Sequence, residues 1–511
     1  MFVSRTTARA LLSRRTQRLD VRRSLRISSH VRAPEIKKVA QSGSSKASGW
    51  SQPKVFAVAL GAGALGWGLA NLNGDGEPIW SSTPHYAIPI IPYSGGSSLE
   101  GNFSAPYGGI SVDFAYMDKI IQFNKDDMDV VVQPSIGWQD LNAKLLQMDS
   151  GLFFPVDPGP SAKIGGMIGT NCSGTNAVRY GTMKDWVINL TVVLSDGRII
   201  KTRRRPRKSS AGYNLNGLFV GSEGTLGIVT EATLKLAAIP EQYSVAVVTF
   251  PTIRDAASAA AGVMQASVPV AAMEIMDDVQ MRVINLGGAT KPRVWKESPT
   301  LFFKFSGTKE GVKDNISRVK KIAAANKGGN FEFARDTAEQ QLLWSARKES
   351  LWSMLSLRKD GDDVWSTDVA VPFSRLADII EVSKKEMDDL GLFASILGHV
   401  GDGNFHESIM YNKNVPGERQ KVEACVKNMV KRALDMDGTC TGEHAIGWGK
   451  KESLLWEVGP ETLAVMSSVK KAFDPKWILN PGKIIDVPWE NTVYHGANTA
   501  VSPNRVVKDL A

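Results

Sequence analysis

Residues 93–101 read YSGGSSLEG, and this glycine- and serine-rich stretch decides the fold. Two related stretches follow: residues 157–181 read DPGPSAKIGGMIGTNCSGTNAVRYG, and residues 221–228 read GSEGTLGI. Runs of small residues let successive backbone N–H groups converge on an anion, so the first stretch predicts a nest for a pyrophosphate. In the second stretch, residues 165–166 and 171–174 would let the backbone press closely against a flat ring system.

Around these loops, the hydrophobic pattern predicts two kinds of region. Residues 86–236 read as short β-rich runs separated by glycine-rich loops. Between residues 237 and 459, strands alternate with helical stretches, of which residues 375–391 and 417–438 are the clearest. That alternation predicts an α+β region with an antiparallel sheet. Residues 472–484 predict the end of a helix and a short return strand.

The three loops, in this order, resemble those of FAD domains of the vanillyl-alcohol oxidase and para-cresol methylhydroxylase type. The resemblance implies the α+β class, with a two-subdomain FAD-binding domain joined to an α+β cap domain that carries an antiparallel sheet. The first loop contains no histidine, so FAD is expected to bind noncovalently. The residues that the resemblance places against FAD are Ser94, Gly95, Gly96, Ser97, Ser98, Leu99, Pro158, Gly165, Gly166, Asn171, Ser173, Gly174, Glu223, Gly224, Ile228 and Asn480.

Three of the six histidines lie in two short segments, GHVGDGNFH (398–406) and GEHAIG (442–447). The His-x6-His spacing across a GDG turn does not match a helix-borne zinc pair. His399 and His406 can instead converge with Glu443, and this donor set suits a divalent zinc, manganese or iron ion. His444 is then free to act as a base, because imidazole titrates close to neutral pH. For any single histidine, a purely structural role remains the alternative.

These segments match the GHxGDGNxH and GEHGxG signatures of the D-2-hydroxy-acid dehydrogenases, except that Ala445 replaces the usual glycine. The resemblance extends from about residue 91 to residue 484. It implies that Arg347 grips the substrate carboxylate, that hydride passes to flavin, and that cytochrome c accepts the electrons. Ser366 stands where relatives that oxidise D-2-hydroxyglutarate carry lysine, which favours a small monoacid such as D-lactate.

One departure leaves other functions open. Members of this family place a βαβ segment before the first flavin loop, whereas residues 81–86 here run almost directly into residues 87–92. Loss of that segment predicts an unpaired sheet edge and a weakened FAD site. Besides a D-lactate dehydrogenase, the alternatives are a dehydrogenase of another D-2-hydroxy acid, such as D-2-hydroxyglutarate, and a catalytically inactive isoform.

The N-terminal composition predicts targeting to mitochondria. Residues 1–33 contain nine arginines and one acid, Asp20, as import presequences do; a disordered basic tail is the alternative. Residues 55–70 (VFAVALGAGALGWGLA) are apolar and predict an inner-membrane anchor that leaves the protein facing the intermembrane space. A cleaved sorting segment and a matrix protein are the other interpretations.

Three further features exclude common functions. Gly61, Gly63 and Gly66 match GxGxxG, but no βαβ unit follows, so a Rossmann site is not expected. Residues 203–208 (RRRPRK) predict a solvated loop rather than a nucleic-acid patch, and no nucleic-acid partner is expected. The three cysteines form no CxxC pair and cannot provide a disulfide framework.

Five regions are therefore predicted. They are a presequence (1–45), an apolar anchor or sorting segment with a linker (46–83), an FAD-binding domain lacking its N-terminal βαβ unit (84–237), a cap domain with the metal site (238–470), and a return to the FAD domain followed by a tail (471–511).

Overall fold

This computed structural model describes residues 55–59 and 87–488, and of residues 55–59 only the backbone. The predicted presequence, the GxGxxG match and the chain beyond residue 488 lie outside these ranges. Within the ranges, none of the helices has both the length and the apolar composition that crossing a membrane requires. Val55–Ala59, the start of the predicted apolar segment, forms a β-strand, so this part of the predicted anchor is not helical.

A parallel three-stranded sheet positions the first glycine-rich loop. Its strands are β1 (Val55–Ala59), β2 (Ile90–Tyr93) and β3 (Gly109–Asp113). Strand β3 lies in the middle and pairs with both neighbours, so the open edge expected beside the first loop is not found at β3. The glycine-rich loop begins where β2 ends, at the carboxyl end of a parallel strand, where open parallel sheets place their ligands.

The C-terminal return segment covers the other side of β2. Ile90 forms a β-bridge with Leu479. The N–H of Ile90 donates to the carbonyl oxygen of Ile478 at 2.7 Å, and the N–H of Asn480 donates to the carbonyl oxygen of Ile90 at 2.8 Å. Where a short return strand was predicted, the structure has this isolated bridge.

An antiparallel five-stranded sheet carries the second and third loops. Its strand order is β4-β5-β9-β7-β8, while β6 pairs with β10. Apolar residues of this sheet, such as Val130 and Leu190, pack with Leu141 and Ile164 of two helices into one buried cluster. The elements of this region are β4 (Ile120–Asn124), β5 (Asp129–Val132), α1 (Trp138–Gln147), β6 (Leu152–Phe153), α2 (Ile164–Thr170), α3 (Ala177–Tyr180), α4 (Met183–Trp186), β7 (Val187–Val193), β8 (Ile199–Lys201), α5 (Leu215–Phe219), β9 (Ile228–Lys235) and β10 (Ala237–Ala238).

The cap region is built on an eight-stranded antiparallel sheet. Its strands run in the order β14-β11-β13-β12-β17-β18-β15, with β16 paired to β18. The elements are β11 (Gln242–Thr249), α6 (Ile253–Gln265), β12 (Ala272–Met276), α7 (Asp278–Gly287), β13 (Thr300–Gly307), α8 (Lys309–Ala325), β14 (Glu332–Phe333), α9 (Thr337–Lys348), α10 (Ser350–Ser356), β15 (Asp362–Ser366), β16 (Val369–Ala370), α11 (Leu376–Asp389), β17 (Phe393–Gly398), β18 (Asn404–Asn412), α12 (Glu418–Asp435) and α13 (Lys451–Phe473). The antiparallel sheet, the two clearest predicted helices (α11 and α12) and the α+β class are confirmed.

The hairpin between β17 and β18 brings two histidines to one end of the cap sheet. His399 follows β17, and His406 is paired with Leu397 across the hairpin. Gly403 in the turn has φ of 73°, and a Cβ there would lie 2.3 Å from the carbonyl oxygen of Val371, so the turn requires glycine. As a result, the two imidazole rings lie 5.5 Å apart, centroid to centroid.

The basic run and the cysteines have local structural roles. Arg205 pairs with Asp127 at 2.8 Å and Asp129 at 3.2 Å, and most of the run is exposed, in keeping with the predicted solvated loop. All three cysteines are free and buried.

Asp474 is expected to stabilise the return segment. Its fully buried carboxylate pairs with Lys470 and accepts from the N–H groups of Ile478 at 3.1 Å and Leu479 at 2.7 Å. Because Asp474→Ala leaves a buried ammonium unpaired, it should lower the free energy of unfolding by about 3–5 kcal/mol, measured by urea titration.

The matched control is Asp389→Ala, which breaks a pair of the same i,i+4 spacing on the surface. The Lys385 and Asp389 side chains are 72% and 63% exposed, so this substitution should cost less than about 1 kcal/mol. Equal losses in the two variants would contradict the assigned role of Asp474.

Candidate active site

A cavity of about 520 Å³ lies where the three glycine-rich loops meet the cap sheet. This volume is typical of a cofactor or substrate site. All but two of the predicted FAD contacts line it, together with every predicted catalytic residue and metal ligand. The lining residues predicted from the sequence are Ser94, Gly95, Gly96, Ser97, Ser98, Leu99, Pro158, Gly165, Gly166, Gly174, Glu223, Gly224, Ile228, Asn480, Arg347, His399, His406, Glu443 and His444.

The glycine-rich wall of this cavity fits FAD. A Cβ at Gly166 would meet no atom within 4 Å, so this position opens onto the cavity and any side chain there would fill it. Behind the wall the backbone is tight, because a Cβ at Gly165 would lie 2.7 Å from Pro134 and one at Gly224 would lie 2.4 Å from Pro92. The hydroxyl of Ser94 is buried without a hydrogen-bond partner among the described residues, and is available to a phosphate oxygen.

Two predicted FAD contacts, Asn171 and Ser173, do not line the cavity. Asn171 ends helix α2 with φ of 51°, and its side-chain oxygen accepts from the N–H of Lys184 at 3.0 Å, which turns the amide away. The hydroxyl of Ser173 donates to Glu443 at 2.6 Å. The first residue therefore shapes the helix end and the second holds a predicted metal ligand.

The side chains of two other predicted FAD contacts are hydrogen-bonded to backbone groups of the protein. The amide of Asn480 donates to the carbonyl oxygens of Asn102 at 2.9 Å and Glu223 at 2.7 Å. The carboxylate of Glu223 accepts from the N–H groups of Ile446 at 3.0 Å and Gly447 at 2.9 Å. Both residues line the cavity, but these side chains join the loops to one another.

His399, His406 and Glu443 form a compact donor group. Glu443 Oε1 lies 3.1 Å from His399 Nε2 and 3.5 Å from His406 Nε2. The ring nitrogens facing away are engaged as well: His399 Nδ1 contacts Glu274 Oε1 at 2.8 Å, and His406 Nδ1 contacts the carbonyl oxygen of Thr367 at 3.0 Å. Such partners on the far nitrogen are typical of metal-binding histidines, so the group fits a divalent ion.

The charges of this group are strongly coupled. Burial alone would lower the pKa of His399, but the carboxylates of Glu274 and Glu443 outweigh it and hold that pKa well above its ordinary value. Burial alone would raise the pKa of Glu443, yet the two histidines hold it well below its ordinary value. The two carboxylates beside His399 therefore favour a positive charge on its imidazole.

Asp368, which the sequence analysis missed, fixes the loop that carries Glu443 and His444. Its fully buried carboxylate accepts from the backbone N–H groups of both residues at 2.9 Å. Ala445, the residue after His444, adopts φ of 63°, a left-handed conformation that favours glycine. The departure from the family signature at Ala445 therefore carries backbone strain.

His444 is placed to accept a proton. Its ring stacks on His406 with 5.1 Å between centroids, and its Nδ1 is buried without a hydrogen-bond partner in the described part of the chain. Burial lowers the pKa of His444 to about 4, so the imidazole is neutral at neutral pH. A neutral imidazole has a free lone pair, as a general base requires.

Arg347 lies in helix α9, buried, with one of its nitrogens already engaged. Its Nε donates to Glu274 Oε2 at 2.8 Å, and its terminal nitrogens form no hydrogen bond with any described residue. Glu274 is the second residue that the sequence analysis missed. A lone carboxylate in the otherwise apolar strand AMEIM was the available signal, because buried acids are rarely left without a polar role.

Two family models match the chain. One, described as an FAD binding domain, matches residues 77–203, and the other, described as the C-terminal domain of FAD linked oxidases, matches residues 239–484. The chain is 53% identical over 409 residues to the mitochondrial D-lactate dehydrogenase (cytochrome) of Kluyveromyces lactis, covering 79% of this chain and 70% of that protein. It is 44% identical to a probable mitochondrial D-lactate dehydrogenase of Danio rerio, covering 80% and 82%.

Solved structures show the same fold at low identity. The 4-ethylphenol oxidase of Gulosibacter chungangensis has a TM-score of 0.66 and 17% identity, with 81% of this chain and 87% of that chain covered. p-Cresol methylhydroxylase has a TM-score of 0.63 and 18% identity, with 80% of this chain and 86% of that chain covered. These likenesses confirm the predicted type of FAD-binding fold.

Gly166→Trp is expected to remove FAD without unfolding the protein. The side chain would enter the cavity, and Gly166 lies in helix α2, where replacing glycine does not weaken helix propensity. We expect the ratio of flavin to protein absorbance to fall close to zero in Gly166→Trp and to an intermediate value in Gly166→Ala. The free energy of unfolding of both variant apoproteins, measured by urea titration, should be no lower than that of the wild-type apoprotein. Wild-type flavin content in Gly166→Trp would contradict the placement of FAD.

Ala445→Gly is expected to raise the free energy of unfolding by about 1 kcal/mol, because it relieves the left-handed strain at this position. The matched control is Ala424→Gly, at an exposed position in the interior of helix α12, where the same substitution should cost about 1 kcal/mol. Urea titration measures both. The same sign in both variants would show that the conformation of Ala445 is not strained.

Proposed function

The chain belongs to the family of FAD-linked oxidases that includes the mitochondrial D-lactate dehydrogenases, and we propose that it oxidises D-lactate to pyruvate with FAD and passes the electrons to cytochrome c. One observation carries the proposal. Arg347, His444 and the donor group His399, His406 and Glu443 line the same cavity as the glycine-rich cradle. An anion-binding residue, a base and a cation site beside a flavin cradle together suit the removal of hydride from a 2-hydroxy acid.

Arg347 binds the substrate carboxylate in this proposal. Since Glu274 engages Nε, the terminal nitrogens are left to face the cavity as a planar fork. A guanidinium fork matches a carboxylate in both charge and geometry. This contact fixes the end of the substrate next to the carbon that is oxidised, and so orients the single hydrogen of that carbon toward the cofactor.

His444 accepts the proton of the substrate hydroxyl. The imidazole is neutral before the reaction, because burial lowers its pKa to about 4. The neighbouring carboxylate of Asp368 favours the protonated form once the proton has arrived, and it also holds the His444 backbone in place. Asp368, which lies between β15 and β16, thus orients the base from outside the loop that carries it.

Two bound groups supply the remaining chemistry. FAD in the cradle supplies the acceptor for the hydride of the substrate carbon. A zinc, manganese or iron ion held by His399, His406 and Glu443 supplies positive charge that lowers the pKa of the substrate hydroxyl.

The substrate is a small monoacid in this proposal. Ser366 lines the cavity and offers no cation to a second carboxylate, which favours D-lactate over D-2-hydroxyglutarate. The inactive-isoform alternative is not advanced, because all three glycine-rich loops line the cavity and β3 is paired on both sides.

We place the protein in the mitochondrion, on the basis of its arginine-rich N-terminal composition and its mitochondrial relatives. The intermembrane-space side of the inner membrane suits cytochrome c as the electron acceptor. A helical anchor over all of residues 55–70 is not part of the proposal, because residues 55–59 pair with β3 as a strand.

The deciding experiment is the visible spectrum of the purified full chain, recorded anaerobically before and after addition of substrate. We expect a flavin band that bleaches with D-lactate, and reoxidation by added cytochrome c. L-lactate and D-2-hydroxyglutarate are the controls and should bleach it far more slowly. A colourless protein, or a flavin band that no D-2-hydroxy acid bleaches, would overturn the proposal.

Arg347→Met extends this experiment to the substrate grip. Loss of a buried charged contact should lower kcat/KM for D-lactate by about 30- to 1,000-fold, equivalent to about 2–4 kcal/mol. The matched control is Arg358→Met, because Arg358 is exposed and, within the described part of the chain, donates only to the carbonyl oxygen of Leu355. An unchanged kcat/KM in Arg347→Met would exclude this residue from substrate binding.

A further inference from the structure

Glu274 occupies an unusual position for a carboxylate. It lies on β12, inside the cap sheet between β13 and β17, and is 1% exposed. Its two oxygens have different partners: Oε1 contacts His399 Nδ1, and Oε2 accepts from Arg347 Nε, both at 2.8 Å. One rigidly placed side chain therefore links a proposed metal ligand to the proposed substrate grip.

Glu274 determines which nitrogen of His399 can bind a metal. An ionised carboxylate only accepts hydrogen bonds, so His399 must carry its proton on Nδ1 when it binds Glu274. The lone pair then belongs to Nε2, the nitrogen that lies 3.1 Å from Glu443 in the donor group. In the described part of the chain, His399 Nδ1 has no other hydrogen-bond acceptor.

The same carboxylate holds Arg347 in a fixed orientation. A buried guanidinium without a counter-charge would be strongly destabilising, and Glu274 supplies that charge at Nε. This contact leaves the terminal nitrogens for the substrate. Without the contact to Glu274, substrate binding would have to order the Arg347 side chain, at a cost in conformational entropy.

We propose that Glu274 is a positioning residue that prepares the metal site and the carboxylate site together, through His399 and Arg347. The inference rests on the proposed function, and it adds that the two binding sites share one support. Glu274 itself touches neither substrate nor metal. Replacing Glu274 should therefore weaken both metal binding and carboxylate binding, while the fold and the flavin content are retained.

The test uses the full-length, FAD-loaded protein and the variant Glu274→Gln, which keeps the shape of the side chain. The neutral amide can accept from only one of its two partners and presents N–H groups to the other. Two dissociation constants are measured: that of Mn²⁺, from the electron paramagnetic resonance signal of free Mn²⁺, and that of oxalate at saturating Mn²⁺, from the perturbed flavin spectrum.

For Glu274→Gln we expect about 10- to 100-fold weaker Mn²⁺ binding, the usual effect of removing a partner of a metal-binding histidine. Oxalate binding should weaken as well, and it should not weaken further when Glu274→Gln is added to Arg347→Met, because both substitutions then act through one contact. A purely structural role for Glu274 would not produce that non-additivity.

Glu407→Gln is the matched control. Glu407 is also fully buried and lies directly after His406 on β18, the second strand from β12 in the same sheet. Successive side chains of a strand point to opposite faces, so Glu407 faces away from the cavity, toward Arg432 and Ser383. This variant should keep wild-type affinities for both Mn²⁺ and oxalate.

Glu274→Asp is the second variant, because it keeps the buried charge but is too short to reach both partners. Wild-type affinity for both ligands in either folded variant would overturn the inference, as would weaker Mn²⁺ binding with unchanged oxalate binding in Glu274→Gln. If the wild-type protein itself did not bind Mn²⁺, the metal site of the proposed function would fail and the inference with it. Wild-type binding together with unaffected variants would overturn the inference alone.

Discussion

The carboxylate of Glu223 is the constraint on which the arrangement of the site depends. This residue of the third glycine-rich loop is buried and accepts hydrogen bonds from the N–H groups of Ile446 and Gly447 and from the amide of Asn102. Its carbonyl oxygen accepts from Asn480. Burial raises the pKa of Glu223, but the donors around it offset the cost of burying a carboxylate. The third flavin loop, the residue that follows the first loop, the loop that carries Glu443 and His444, and the return segment therefore meet at one residue.

Behind the histidines, two further buried acids complete the arrangement. Glu274 contacts His399 and Arg347 from the cap sheet, while Asp368 holds the backbone of Glu443 and His444. Both acids contact the predicted site residues on the side away from the cavity, and so hold those residues directed toward it. Because interior electrostatic interactions are poorly screened, a few such contacts can fix the positions of a whole set of ligands. The chemistry of the cavity is thus supported by charges that do not face it.

The sequence predicted well the features whose chemistry is local. Glycine-rich loops, the GDG turn and the His-rich segments can be recognised from the sequence alone, because glycine and imidazole have properties that few residues share. The sequence did not predict the direction in which individual side chains point. Asn171 lies in the expected loop, yet its amide oxygen accepts from the N–H of Lys184. The pairing of residues 55–59 with β3 was also missed, because a short apolar run fits a strand and a membrane segment equally well.

By itself, the sequence determined the α+β class and the resemblance to D-2-hydroxy-acid dehydrogenases, and it predicted a flavin cradle and candidate metal ligands, because each depends on residue types at short spacing. Only the tertiary structure brought Glu274 to Arg347, 73 positions away, and Glu223 to Gly447, 224 positions away. The physical reason is that a buried carboxylate must find donors, but neither its own identity nor the neighbouring sequence specifies which distant donors the folded chain will provide.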